Sequence, residues 1–328
     1  METTEPSHSV KQSGRASNVS SDPVRLVCSE VWGRNRPVHI PIELPGVRGV
    51  LFSRPCDGGR GGDVHYLSVC GSGLLSRMCL ADVVGHGEQV AAVSDEMHRQ
   101  LRRFMNQPDQ RRVLRDLNER LVRMGLRAMT TAVAVSYYPP RRKLSISHAG
   151  HPPGWLYRVA TGSWTRVGAR RSDANRESAG RSDTSHTIAR RNSARTIDAR
   201  ATLANLPLGV DESTEFSRHD LRVERGDRLL LVTDGVLEAP STDGTLFGEV
   251  GIEACLHESA GLTCPEVGGG LLQALRTHGG EAALNFDDVT FLLIEFVAPP
   301  RGPALWHAIK NRLLRRGNHR VPPRQGFS

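Results

Sequence analysis

The chain has 328 residues, 38% of them hydrophobic and 24% charged, with a formal charge of +8. These are the proportions of a soluble globular protein with room for one large domain or two ordinary ones. No run approaches the ~20 apolar residues that cross a bilayer, and six scattered cysteines without a CxxC pair exclude a zinc ribbon or a disulfide framework.

Residues 1–23 are polar, lack the apolar core of a secretory signal and read as a disordered tail; the scattered, unpaired cysteines make a reducing cytoplasm the expected location. From Val24 to Val69 the segments VRGVLFSR and DVHYLSVC read as strands joined by the flexible turn GGRGG. RMCLAD is a short strand ending at Asp82, followed by a tight turn through Gly85 and Gly87 with His86 in the bend. Val93, Met97, Leu101 and Phe104 then recur at helical spacing. A second helix is predicted from about Asp109 to Met124, stopped by Gly125. TTAVAVSYY, KLSISHAG and GWLYRV are rich in β-branched and aromatic residues, the signature of antiparallel strands.

Residues 169–200 are dominated by Arg, Ser, Asp and Ala; the segment has no apolar period and cannot offset its ordering entropy, so it reads as a disordered inserted loop. Strands resume in FSRHDLRVERGDRLLLVTDG, helices are predicted around 248–256 and 265–277, and DDVTFLLIEF is the last strand. This order favours packed sheets flanked by helices over an alternating βαβ fold.

Carboxylates stand at the ends of several of these buried runs: Asp63 in GGD, Asp82 in LADVVGHG, Asp234 in LLLVTDG, and Asp287 and Asp288 in NFDDVTFLLIEF. Each alone is an ordinary turn former. Gathered in one region they would repel one another unless a cation neutralised them. Hard oxygen donors without a histidine or thiolate cluster favour Mg²⁺ or Mn²⁺ over zinc. Two such ions about 3.5–4 Å apart suit the hydrolysis of a phosphate ester.

The ordered series GGDVHY, ADVVGHG, HAGHPP, LPLGV, GDRLLLVTDGVLEA, DGTLFGE and DDVTFLLIE, over Val47 to Phe296, closely resembles the PPM metal-dependent Ser/Thr protein phosphatases of the bacterial SpoIIE/RsbU type. The resemblance implies an α+β fold, a four-layer α-β-β-α sandwich of two antiparallel sheets, over a phosphatase domain at 24–298. It implies two Mn²⁺ or Mg²⁺ ions, with Asp82 bridging both, the carbonyl of Val83 facing one, and Asp234 and Asp287 on the other, with Asp288 as neighbour or substitute. Direct attack of a metal-bridged hydroxide on phosphoserine or phosphothreonine would need no covalent enzyme intermediate. The substrate implied is a phosphoprotein of the anti-sigma-factor-antagonist kind, in partner-switching signalling.

The chain departs from the family where GGDFYD commonly stands: Tyr66 replaces the second carboxylate, leaving Asp63 to serve alone and predicting a weaker second ion. That departure raises a rival, a catalytically weak phosphoprotein-binding module of the same fold. His86 is a candidate general acid, since a pKa near neutrality suits protonation of a leaving serine oxygen. Arg54 and Arg60 are candidate phosphate-steering cations. His148 and His151 lie in a turn rather than on a helix face and read as structural.

Seven basic residues and no acidic one lie in the tail at 299–328; subtracting them from +8 leaves +1 for the rest of the chain, so nucleic acid is not an expected partner. Within the tail, 304–316 has the pattern of a basic amphipathic helix suited to an anionic membrane or an acidic partner. Homodimerisation is compatible with the sequence.

Overall fold

The structure, a computed structural model, describes residues 23–299 apart from 27–29, 57–58, 71, 86–87, 105–106, 126–127, 169–203 and 260. His86, the inserted loop, the N-terminal tail and the basic C-terminal helix of the sequence reading lie outside the described residues.

In chain order the elements are β1 (Val24–Arg25), β2 (Glu30–Arg34), β3 (Val38–Leu44), β4 (Val47–Arg54), β5 (Asp63–Val69), β6 (Ser76–Val83), α1 (Glu88–Arg103), α2 (Gln110–Met124), β7 (Thr130–Tyr138), β8 (Lys143–Ala149), β9 (Gly154–Arg158), β10 (Ser163–Val167), β11 (His219–Arg222), β12 (Arg228–Val232), α3 (Asp234–Leu237), α4 (Gly248–His257), α5 (Cys264–Ala283) and β13 (Val289–Phe296). They form a seven-stranded sheet, β1-β3-β4-β13-β12-β9-β10, and a six-stranded sheet, β11-β8-β7-β6-β5-β2. Every ladder between named strands is antiparallel except the two-residue pairing of β1 with β3.

Three apolar cores define the layers. Leu51, Leu67, Leu80, Val133, Leu231 and Leu292 are buried between the sheets. Val93, Met97 and Leu101 of α1 and Val113, Leu117 and Leu121 of α2 cover the outer face of the six-stranded sheet. Val267, Leu271 and Leu275 of α5 and Ile252 of α4 cover the other sheet against Phe291 and Val50. The result is the expected α-β-β-α sandwich. Each fully buried aliphatic side chain contributes about 1.5–3 kcal/mol.

The helix ends follow from local chemistry. Asp109 caps α2 by accepting from the N–H of Arg111, and Gly125 ends it at φ +88°. α5 runs past the predicted stop at 277 and changes direction at Gly279 and Gly280, the latter at φ +67°. The sequence reading missed β10, the exposed edge strand that pairs β9.

Candidate metal centre

Strand alternation decides which side chains look into the space between the sheets. On β5, Leu67 and Val69 belong to the inter-sheet core while Val64 and Tyr66 belong to the core under the helices, so Asp63 faces inward with Leu67. By the same parity Asp82 follows Met78 and Leu80, Thr131 follows Val133, Thr233 follows Leu229 and Leu231, and Asp288 and Thr290 follow Leu292. Register then brings them level. Asp63 lies opposite Asp82, and Asp82 opposite Thr131. In the other sheet Val232 lies opposite Phe291, which sets Asp234, at the start of α3, beside the segment carrying Asp287 and Asp288.

Glycines let the two sheet ends touch. A Cβ on Gly62 would stand 2.8 Å from the carbonyl oxygen of Val83, 3.2 Å from Asp82 Oδ1 and 3.7 Å from Asp288 Oδ2, so these three oxygens surround one point that only a missing side chain leaves clear. A Cβ on Gly235 would stand 2.1 Å from the Asp288 carbonyl oxygen and 3.4 Å from Asp287 Cβ. The Asp288 carboxylate closes the seam: Oδ1 accepts from the backbone N–H of Cys56 at 2.8 Å, and Oδ2 from those of Gly62 and of Asp63, the latter at 3.2 Å. Asp63 is 2% exposed; its Oδ2 accepts from the Thr233 hydroxyl at 2.8 Å, and its Oδ1 is buried without a protein hydrogen-bond partner.

The electrostatics record the crowding. Burial, then the charge of Asp82, push the Asp63 carboxyl well above the usual carboxylate range, against the nearby hydroxyls of Thr290 and Thr233, of which Thr233 makes the hydrogen bond. Asp82 is pushed up to about 7 by burial and then by Asp234, Asp287, Asp288 and Glu238. Asp234 is raised by burial, then by Asp287 and Glu238, and Asp287 by burial and Asp288. Glu238 escaped the sequence reading; it lies four residues after Asp234, the spacing that puts two side chains on one helical face, and this was the available signal.

These residues fit a hard divalent cation by donor chemistry, by the orphaned Asp63 Oδ1 and by the space beside Gly62. They do not form a closed ligand shell as they stand. Among the described residues no three His, Cys, Asp or Glu side chains are grouped closely enough to hold one ion. Asp234 and Asp287 instead accept from the backbone N–H of the residue following each, at 3.1 and 2.7 Å. Both bonds are local and only partly buried, the kind a cation can displace, whereas Asp63 Oδ1 is buried with no partner.

The remaining candidates divide. Arg54, opposite Val289 of β13, pairs with Glu281 and Asn285, and Arg60, two residues before Gly62, with Asp95 and Asn35. Tyr66 is fully buried under α1, its hydroxyl donating to the Leu101 carbonyl at 2.7 Å, so position 66 points away from the carboxylates. His148 lies within β8, opposite Val133, and not in a turn as the sequence suggested, because the strand continues to Ala149; His151 follows the strand. Both are buried, with pKa values lowered to about 4 and about 3 by burial; Nδ1 of His151 meets the Thr131 hydroxyl at 3.1 Å.

The family model described as stage II sporulation protein E (SpoIIE) matches residues 75–171 and 185–297, more than half of the chain. No curated protein sequence matches it. Among solved structures, the RsbU and RsbW domains of a Mycobacterium tuberculosis protein align at TM-score 0.60 with 21% identity, over 80% of this chain and 64% of that one. The PP2C phosphatase domain with a fragment of the regulatory domain of SpoIIE from Bacillus subtilis aligns at 0.53 and 17%, over 75% and 61%. RsbX in complex with magnesium aligns at 0.52 and 14%, over 79% and 99%. At these identities the likeness is one of fold.

Proposed function

The chain belongs to the SpoIIE family, and from that membership we propose that it is a divalent-metal-dependent phosphatase that removes phosphate from serine or threonine of a protein substrate. The observation that carries the reading is the set of carboxylates delivered by four distant segments to the joined ends of two sheets, where they raise one another's pKa values and leave Asp63 Oδ1 buried without a partner. The magnesium in the RsbX complex, a protein of the same fold, agrees with it.

Asp63, Asp82, Asp234, Asp287 and the carbonyl of Val83 are the groups that would hold Mn²⁺ or Mg²⁺, two ions in this reading. When bound, such ions lower the pKa of water and neutralise phosphoryl oxygens during an in-line attack. The protein's own part is to fix the oxygens. Asp288 spends its carboxylate on three backbone N–H groups and acts as a clamp between β13 and the loop before β5. Arg54 and Arg60 sit in exposed ion pairs, each worth about 0–1 kcal/mol, so either can turn to a phosphate dianion at small cost. Asp82 must lose its proton before its oxygens can serve, so a cation and the proton compete for this carboxylate.

The rival, a catalytically weak binding module, rests on Tyr66 and on the unassigned general acid. Because position 66 faces α1, its lack of a carboxylate removes no oxygen from the cluster, which supports the catalytic reading. The substrate we infer is a phosphorylated anti-sigma-factor antagonist, as the resemblance to the SpoIIE/RsbU branch implies. The test is hydrolysis of an aryl phosphate with Mn²⁺, with chelator, and by Asp82→Asn. Activity is expected only from the unsubstituted chain with metal; equal rates in all three would reject the mechanism.

A further inference from the structure

We propose that Thr233 is a positioning residue for Asp63: its hydroxyl fixes one carboxylate oxygen so that the other is presented to the cation. The inference rests on the reading of the carboxylate cluster as a metal centre and adds to it a residue that touches no ion itself.

The local chain geometry produces this arrangement. Thr233 follows β12, and its N–H still donates to the Thr290 carbonyl at 3.0 Å, as a ladder residue would. The chain then turns into α3, and the hydroxyl takes over the acceptor role of the backbone: Oγ1 accepts from the Thr290 N–H at 3.1 Å. Its single proton has two acceptors within reach, Asp63 Oδ2 at 2.8 Å and the Thr290 carbonyl at 3.3 Å. The Asp63 oxygen is the nearer, and it carries charge once a cation takes the place of the proton, so it takes the stronger bond. The other hydroxyl nearby, Thr290 Oγ1, donates to Ser53 Oγ at 2.9 Å.

Asp63 is thereby held at two points from the opposite sheet. Asp288 accepts from its backbone N–H, and Thr233 donates to Oδ2. Thr233 is fully buried, so no water competes for its hydroxyl. Oδ1, also buried, is the one oxygen of this carboxylate left for a cation.

The experiment is Mn²⁺ binding to the full-length chain by calorimetry and by the electron paramagnetic resonance signal of free Mn²⁺, with stability in chelator measured alongside. Thr233→Val keeps the β-branched shape and removes the hydroxyl; a loss of about 10–100-fold in affinity is expected, as for partners of metal ligands generally. Thr233→Ser restores the hydroxyl and should bind within about threefold of the unsubstituted chain, since the donor is the same. If the valine variant does not fold, Thr233→Cys, a weak donor of similar size, should lose affinity in the same direction. In an Asp63→Ala background, Thr233→Val should cost no further affinity, because the group it orients is gone. Equal Mn²⁺ affinity in the valine variant and the parent would overturn the inference, as would serine and valine losing affinity together. A parent chain that binds no Mn²⁺ would instead remove the metal reading itself, and the inference with it.

Discussion

Asp287 and Asp288 are adjacent in sequence, yet the structure gives them opposite work, and Asp→Asn at each position separates the two. Asp288 accepts three backbone N–H bonds while only 6% exposed. An asparagine there keeps one oxygen, which can serve Cys56, and turns an NH₂ group towards the N–H groups of Gly62 and Asp63. Bonds to a charged acceptor contribute about 1.5–3 kcal/mol each, so losing two costs about 3–6 kcal/mol. Relief of repulsion with Asp63 and Asp82 offsets on the order of 1 kcal/mol, one pKa unit's worth. The net loss of about 2–5 kcal/mol is a large share of the ~5–15 kcal/mol that holds a domain folded. In urea, with chelator present, the unfolding midpoint of Asp288→Asn should fall by about 1 M or more. Asp287→Asn removes an exposed like charge and should leave the midpoint unchanged or raised, while abolishing stabilisation by Mn²⁺. If Asp288→Asn left the metal-free midpoint unchanged or raised it, Asp288 would be a repelled member of the cluster and the clamp reasoning would fail.

Three further outcomes follow from the same geometry. The raised carboxylates make the metal-free fold lose stability as pH rises from their ordinary value of 3.8 through the value of about 7 at Asp82, whereas a cation that displaces those protons binds better over that range; the Mn²⁺-induced rise in Tm should be larger at pH 8 than at pH 5.5, and the reverse order would contradict the assignment. Tyr66→Asp, which restores the carboxylate usual in the family, should bury a charge under α1, destabilise the chain in urea by more than about 3 kcal/mol and leave Mn²⁺ affinity no tighter, whereas tighter binding would return position 66 to the site. Gly62→Ala should place a methyl group against Val83 O and Asp82 Oδ1 and weaken Mn²⁺ binding measured by calorimetry; unchanged affinity would show that the space beside Gly62 is not part of the centre.

Much of this architecture is local information and was legible in the sequence. The 3.6-residue spacing of Val93, Met97 and Leu101 marks α1, and Asp109 and Gly125 bracket α2, because propensity and capping act within a few residues. The placing of Asp63, Asp82, Asp234 and Asp287 beside buried runs already put them at strand ends. Only the tertiary structure decided which carboxylates meet a cation and which hold the backbone. Asp287 and Asp288 look alike in sequence, but the phase set by Leu292 turns Asp288 inward onto the loop before β5. Tyr66 occupies a family carboxylate position, but alternation along β5 turns it under α1. Thr233 carries no motif that marks its tie to Asp63. Such roles depend on the register and the stacking of two sheets, which are set by contacts such as Thr233 with Asp63, 170 positions apart, and Asp288 with Cys56, 232 apart, and leave no trace in any short window of the chain.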